Sequence, residues 1–134
     1  MASRKARAGK GEAKTKAKKP PGQRAGQPPV KFGTDGWRGV LARDFNRENA
    51  TLVARALARY LVELEDIRRG VVVAYDTRFL ADRFARRLAD VLTSVGLDVR
   101  LATAPAPTPA LSFAVRHAGA AGGIMLTASH NPPA

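Results

Sequence analysis

The sequence predicts a three-layer α/β/α domain built on a mixed, mainly parallel sheet and preceded by a disordered basic tail. Two observations carry this prediction. The run 71–75 is continuously apolar and rich in valine, without the alternation of a half-exposed strand, which is typical of a parallel strand covered on both faces. Segments with helical spacing of apolar residues flank this run, and strand and helix patterns alternate from there to residue 127.

Residues 1–29 are expected to form the tail. They contain nine of the 23 lysines and arginines but only one of the 11 acidic residues, and they include no aromatic residue. Such a segment cannot bury enough apolar surface to offset the entropy that it would lose on folding. We therefore place the domain boundary before Val30, with the α/β/α domain over residues 30–134.

The first elements of the domain are a hairpin and a helix. Residues 30–39 are short and punctuated by glycine, which indicates a strand or hairpin entering a loop. Apolar residues then recur at helical spacing between Leu52 and Leu64, with Asn46 as the predicted N-cap and Gly70 as the stop. This spacing predicts an amphipathic helix.

The remaining elements follow in alternation. Asp76 marks the end of the strand 71–75, and Gly96 closes the next helical pattern. Three closely spaced prolines predict an extended loop before the last helix. The predicted elements after the first strand are a helix over 80–95, a short strand over 98–101, the proline loop, a helix over 110–116 and a buried strand over 123–127.

The candidate functional residues follow two strands. Ligands of parallel sheets gather outside the carboxyl ends of the strands, where the segments 76–78 and 127–133 are expected. The residues alone leave two interpretations of the second segment, which contains Ser129, His130 and Asn131 before two prolines. It is either an ordinary turn, which composition alone favours, or a loop that presents a serine rigidly. Adjacent serine and histidine do not by themselves form a nucleophile and base.

A resemblance to a known family decides between them. The segment TASHNPP at 127–133 resembles the phosphoserine signature of the α-D-phosphohexomutases, the family of phosphoglucomutases, phosphomannomutases and phosphoglucosamine mutases. The segment KFGTDGWRG at 31–39 is similar to the N-terminal motif of that family, and YDTR at 75–78 is similar to a third motif. From about Val30 to its end, the chain thus resembles the N-terminal domain I of the family.

The resemblance implies an intramolecular phosphotransferase that interconverts hexose 1-phosphate and hexose 6-phosphate of the glucose or mannose type. Phosphorylated Ser129 would donate its phosphoryl group to the substrate and recover one from the bisphosphorylated sugar. Hexose 1,6-bisphosphate is implied as activator. Mg²⁺ is implied as cofactor, bound through the phosphate of Ser129, with its other ligands absent from this chain.

The resemblance also assigns roles to other residues. His130 would act beside the transferred group as a hydrogen-bond donor or proton carrier, or it is a loop histidine with no such role. Arg38 would bind phosphate through its fixed positive charge, or it is a solvated surface residue. Asp76, Arg78 and Asn131 are expected to support the serine loop, although an ordinary ion pair at a strand end would look much the same for the first two.

The chain ends at Ala134, directly after the serine loop. The family continues with further domains, so the expected partners are a hexose phosphate and the missing downstream domains of the same enzyme. The chain alone is expected to lack mutase turnover. Trp37 and Phe32 are expected to be core residues rather than a pair that stacks on sugar.

A second function, of another class, is open at this stage. The tail could bind nucleic acid or another polyanion nonspecifically by releasing counterions. However, it has no interleaved aromatic residues, and the domain shows no nucleic-acid-binding motif. No apolar run follows the basic residues and no stretch is long enough to span a membrane, so a cytoplasmic location without membrane contact is expected.

Overall fold

The computed structural model describes residues 30–34, 36–64 and 67–128. The predicted tail at 1–29 lies outside these ranges, as do Ser129, His130 and Asn131. The described elements, in chain order, are β1 (Phe32–Gly33), β2 (Gly36–Trp37), α1 (Arg47–Glu63), a 3₁₀ turn (Ile67–Arg69), β3 (Val71–Tyr75), α2 (Ala81–Ser94), β4 (Val99–Leu101), α3 (Thr108–His117) and β5 (Gly122–Leu126).

The central sheet has the strand order β4-β3-β5, and both of its strand pairs are parallel. The antiparallel pair β1-β2 forms a separate hairpin in which Phe32 lies opposite Trp37. All five residues of β3 are buried, as the continuous valine-rich run predicted. The α/β class is therefore confirmed, and the antiparallel strands of the described part are confined to the hairpin.

Helices cover both faces of the sheet. Side chains of a strand point alternately to its two faces, and Val71, Val73 and Tyr75 pack with α1 and α2 in the larger core cluster. Val72 and Ala74 instead pack with Leu111 of α3 in a smaller cluster on the other face. The three layers of the predicted architecture are therefore two helices, the sheet and one helix.

Helix α1 begins where it was predicted but buries a different face. The Asn46 side chain accepts the N–H of Asn49 at 2.9 Å, which confirms the predicted N-cap. The helix ends at Glu63, and Gly70 instead follows the 3₁₀ turn and leads into β3. The predicted apolar face is partly exposed, since Tyr60 is 57% and Leu64 51% accessible. The buried side is lined by Asn49, Ala50, Ala54, Ala58 and Leu61.

Two helix boundaries also differ from the prediction. Leu80 is not the first residue of α2 but its N-cap, with a left-handed φ of 62°. Helix α3 starts at Thr108 and includes Pro109, which was predicted to belong to the loop. Proline is tolerated there because N–H groups in the first turn of a helix have no partner within the helix. Within the described ranges, no helix is both long and apolar enough to cross a membrane.

Candidate active site

The carboxyl edge of the sheet brings together the two segments that follow β3 and β5. These strands are in register, with Tyr75 opposite Leu126. The pairing continues one residue further, because the N–H of Asp76 donates to the carbonyl oxygen of Leu126 at 3.0 Å. Asp76 and Thr127 therefore leave the sheet side by side. The prediction that both segments lie at one edge is confirmed for these described residues.

Asp76 shapes the turn that follows β3. Its Oδ1 accepts the backbone N–H of Arg78 at 2.9 Å, a local bond that reverses the chain toward α2. The carbonyl of Arg78 then accepts the N–H of Ala81 at 3.1 Å, at the start of that helix. Asp76 is half-buried and Arg78 is exposed. The carboxylate of Asp76 thus fixes the shape of the edge beside Thr127.

The proline loop forms another side of the same edge. Its backbone continues the pairing beyond β4, because the N–H of Ala102 donates to the carbonyl of Val73 at 2.8 Å. The N–H of Ala106 donates to the carbonyl of Tyr75 at 2.9 Å, so the loop crosses the end of β3. Helix α3 begins directly afterwards, at Thr108. The carboxyl end of β3 is thereby enclosed between the proline loop and the segment that follows β5.

Arg38 follows the hairpin, which an aromatic stack ties to the same end of the domain. The rings of Trp37 and Phe45 stack with centroids 4.7 Å apart and planes 17° apart. Phe45 in turn meets Phe84 edge-on at 4.8 Å and 77°. Phe84 lies in the first turn of α2, which starts just after the Asp76 turn. Trp37 is therefore half-buried, as expected of a packed residue, whereas Phe32 is 64% exposed and is not part of the core.

The connector, which we define as residues 39–46, joins Arg38 to α1 through a set of hydrogen bonds. The N–H groups of Asp44 and Phe45 donate to the carbonyl of Val40 at 2.9 and 3.0 Å. The Asp44 carboxylate accepts the N–H of Val40 at 3.1 Å. It also accepts from the Arg43 guanidinium, most closely at 2.8 Å. The hydrogen bond from Arg43, followed by that from Val40, holds the pKa of Asp44 below its ordinary value.

Sequence reasoning missed the residues that support this arrangement. Phe45, Phe84 and Asn49 were not candidate site residues, yet they connect Arg38 to the two helices that begin at this edge. Asn49 is 1% exposed, and its Nδ2 donates to the carbonyl of Asp44 at 2.8 Å. The aromatic residues at helical and turn positions signal packing in general, but not which partners they meet.

Of the predicted site residues, Arg38, Asp76 and Arg78 are described, whereas Ser129, His130 and Asn131 lie outside the described residues. The description reaches Ala128, the residue before Ser129, which is half-buried. Among the described residues, no group of three or more histidine, aspartate or glutamate side chains could hold a metal ion. Asp76 lies at this edge, but its Oδ1 is engaged by the N–H of Arg78. The described part alone therefore does not fit a magnesium centre.

Comparison with known proteins gives consistent matches. The sequence profile described as "Phosphoglucomutase/phosphomannomutase, alpha/beta/alpha domain I" matches residues 29–134. A phosphoglucomutase of Staphylococcus haemolyticus is 43% identical over 104 residues, covering 75% of this chain and 19% of the relative. A phosphoglucosamine mutase of Carboxydothermus hydrogenoformans is 43% identical over 101 residues, covering 75% of this chain and 22% of the relative.

A solved structure agrees with these matches. The crystal structure of a Thermus thermophilus protein assigned as a phosphomannomutase superposes with a TM-score of 0.74 at 55% sequence identity. The match covers 80% of this chain and 24% of that protein. This chain therefore spans about a fifth of the length of the curated relatives and about a quarter of the solved one.

Proposed function

The chain belongs to the phosphoglucomutase/phosphomannomutase family, whose α/β/α domain I it forms, and we propose that it is the N-terminal part of a phosphohexomutase. The reaction would interconvert hexose 1-phosphate and hexose 6-phosphate of the glucose or mannose type. The relatives carry the names of glucose, glucosamine and mannose phosphate mutases, so they support the hexose phosphate class. The rest of the enzyme would supply the sugar-recognition loops.

The observation that carries this proposal is the junction of β3 and β5. The bond from the N–H of Asp76 to the carbonyl of Leu126 fixes the start of the segment 127–133 beside the Asp76 turn. A phosphoryl carrier must be held in line with its acceptor, because phosphoryl transfer depends on positioning more than on covalent chemistry. A serine three residues beyond Leu126, on a segment that leaves a strand end bonded to Asp76 at its side, would be held in this way.

In the proposed mechanism, the bond between the Ser129 oxygen and phosphorus breaks as a substrate hydroxyl forms a new bond to phosphorus. The product is a hexose 1,6-bisphosphate, which also serves as activator when it is added from outside. The other phosphoryl group of this sugar then returns to Ser129. The proton of the attacking hydroxyl would pass through His130 to the leaving Ser129 oxygen, or it would reach that oxygen directly while His130 donates a hydrogen bond to the transferring group.

The remaining residues would bind and orient. Arg38 would offset the negative charge of the transferring phosphoryl group, and Asp76, Arg78 and Asn131 would hold the loop that carries Ser129. Mg²⁺, bound through the Ser129 phosphate and ligands from the downstream domains, would supply further charge neutralisation. Because those ligands are not part of this chain, the chain alone is proposed to lack turnover.

The test is intact mass and phosphopeptide mapping of a hybrid enzyme. The chain is joined to the part of the Thermus thermophilus relative that lies beyond the matched region, then incubated with glucose 1,6-bisphosphate. We expect phosphate on Ser129 that is lost to glucose or mannose monophosphates. Ser129→Ala should lower kcat by roughly three orders of magnitude or more.

Ser112→Ala is the matched control, because Ser112 is an exposed serine whose hydroxyl, within the part of the chain that the structure describes, bonds only to the carbonyl of Thr108 in α3. This variant should keep both the phosphate and the activity. The proposal is wrong if Ser129 never carries phosphate and Ser129→Ala retains full turnover.

A further inference from the structure

Both neighbours of Arg38 in the sequence are anchored on one pair of connector residues. On one side, the Trp37 ring stacks on Phe45 at 4.7 Å. On the other side, Gly39 packs against Asp44 so closely that an added Cβ would lie 2.7 Å from the Asp44 Cβ and 3.2 Å from the Phe45 nitrogen. The backbone of Arg38 is therefore held between two contacts that both end on the pair Asp44 and Phe45.

Asn49 connects this pair to α1. Its Nδ2 donates to the Asp44 carbonyl at 2.8 Å, and its backbone N–H donates to the Asn46 side chain at 2.9 Å. Asn49 lies in the first turn of α1 and is 1% exposed, the only polar residue among the buried ones in the described ranges. The side-chain bond joins the connector to the helix through a donor that is buried.

The Oδ1 atom of Asn49 indicates what the amide contributes. This oxygen is buried and has no hydrogen-bond partner among the described residues. An unsatisfied buried acceptor is unfavourable, and leucine, which has the same branched shape and number of heavy atoms although it is larger, would avoid it. The amide is nevertheless the donor that satisfies the carbonyl of Asp44, which leucine could not do. The Asn49 amide therefore stabilises the connector rather than the packing of α1.

We propose that Asn49 is a positioning residue for Arg38. It holds Asp44 and Phe45 on α1, and these two residues hold Gly39 and Trp37 on either side of the arginine. The importance of Arg38 for phosphate rests on the proposed function, whereas the anchoring itself does not. Loss of the Asn49 amide should release the hairpin and displace Arg38 while leaving the helices and sheet in place.

The first test uses the full chain and Trp37, which is its only tryptophan. Asn49→Leu should increase the quenching of Trp37 fluorescence by acrylamide at least twofold and shift its emission to longer wavelength. The helical circular dichroism signal should be unchanged. Thr51→Val is the matched control, because it removes two side-chain bonds near the same turn, to the Arg47 carbonyl and from Arg87, without touching the connector. This control should leave the quenching unchanged.

A second measurement keeps the inference testable if Asn49→Leu does not fold. In the unsubstituted chain, the amides of Asp44 and Phe45 should be protected from hydrogen exchange as strongly as those of the second turn of α1. Rapid exchange of these two amides would overturn the inference, and so would a folded Asn49→Leu variant with normal Trp37 quenching.

The kinetic test uses the hybrid enzyme and a double-mutant cycle. Asn49→Leu should lower kcat roughly 10- to 100-fold with little change in KM, as expected for a displaced group. In an Arg38→Ala background the same change should have less than a twofold effect, since its target is gone. Equal losses in both backgrounds would show that Asn49 does not act through Arg38. If Ser129 of the hybrid never carries phosphate and Ser129→Ala retains full turnover, the proposed function fails, and the fluorescence and exchange results alone decide the role of Asn49.

Discussion

Gly70 lies where the chain enters the central strand β3, against the segment that leads into β4. Its φ is +64°, and an added Cβ would lie 2.5 Å from the carbonyl oxygen of Asp98. The same oxygen accepts the N–H of Val71 at 2.8 Å, so it cannot move away without weakening the first bond of the strand. Glycine is thus required at this position both by the backbone angle and by the space.

We predict that Gly70→Ala lowers the free energy of unfolding by about 3 kcal/mol, through the left-handed angle and the displaced contact together. Gly96→Ala is the matched control, because Gly96 has a φ of +88° but, apart from its chain neighbours, no atom of the described residues lies within 4 Å of the added Cβ. It should cost only about 1–2 kcal/mol. Urea unfolding followed by circular dichroism measures both values. Equal losses would mean that the Asp98 segment shifts aside at no cost.

The position and partners of a single residue were predictable from the sequence where they depend on local structure or on the common edge of parallel strands, and not where they depend on the path of a loop. The neighbourhood of Asp76 and Thr127 was predictable, because both follow strands of one parallel sheet and such strands end at a common edge. The cap at Asn46 was predictable because it is local. Asn49 was not predictable, because its bond to the Asp44 carbonyl depends on the path of the connector.

At the scale of elements, α3 packs on the sheet around one buried residue, with Ala114 and Val115 partly buried beside it. Leu111 is its only buried residue, and it packs with Val72 and Ala74 in the smaller core cluster. The opposite side of the helix is exposed, and Phe113 there is 69% accessible and stacks on His117 at 5.5 Å. The free energy of unfolding should therefore depend strongly on the Leu111 side chain and little on that of Phe113.

We predict that Leu111→Ala lowers the free energy of unfolding by about 2–4 kcal/mol, the range for a buried leucine that leaves a cavity. Phe113→Ala removes a larger side chain from the same helix but should change stability by less than about 0.5 kcal/mol, because the ring is mostly in solvent. Denaturant unfolding of the two variants gives the comparison. A larger loss for Phe113→Ala would contradict the assignment of the buried face.

The elements were predicted better than their faces and ends. The order of helices and strands follows from local periodicity, which the sequence displays. The buried face of α1 does not follow from periodicity in this way, because alanines line it in the core that α1 shares with α2, while the larger Tyr60 and Leu64 are exposed. Pro109 was assigned to the loop because proline breaks helix interiors, but the first turn lacks that restriction.

At the scale of the whole molecule, several large apolar side chains of the described domain face solvent. Tyr60, Val62 and Leu64 at the end of α1 are each at least half exposed, and Val95 after α2 is 45% exposed. Val62 and Val95 line one shallow depression, whereas Tyr60 and Leu64 lie on another side of the chain, because successive helical residues are rotated by about 100°. Exposed apolar patches are typical of contact with another domain, and the chain spans only about a fifth of its curated relatives. The depression at Val62 and Val95 therefore supports the proposal that downstream domains are partners.

Deleting residues 1–29 separates the two functions that the sequence suggests. The deletion removes nine of the 23 basic residues and one of the 11 acidic ones. If the tail binds polyanions by releasing counterions, the full chain should bind a short DNA duplex with an affinity that falls steeply with salt. The deleted chain should bind roughly 100-fold more weakly at about 50 mM salt, while Ser129 in the hybrid enzyme should accept phosphate as before. Fluorescence titration over a range of salt concentrations measures the affinity.

DNA binding that residues 30–134 retain would instead be assigned to arginines of the folded domain. Loss of Ser129 phosphorylation on deletion would show that the mutase site needs the tail. DNA binding and phosphoryl transfer would then depend on the same residues and would not be separable.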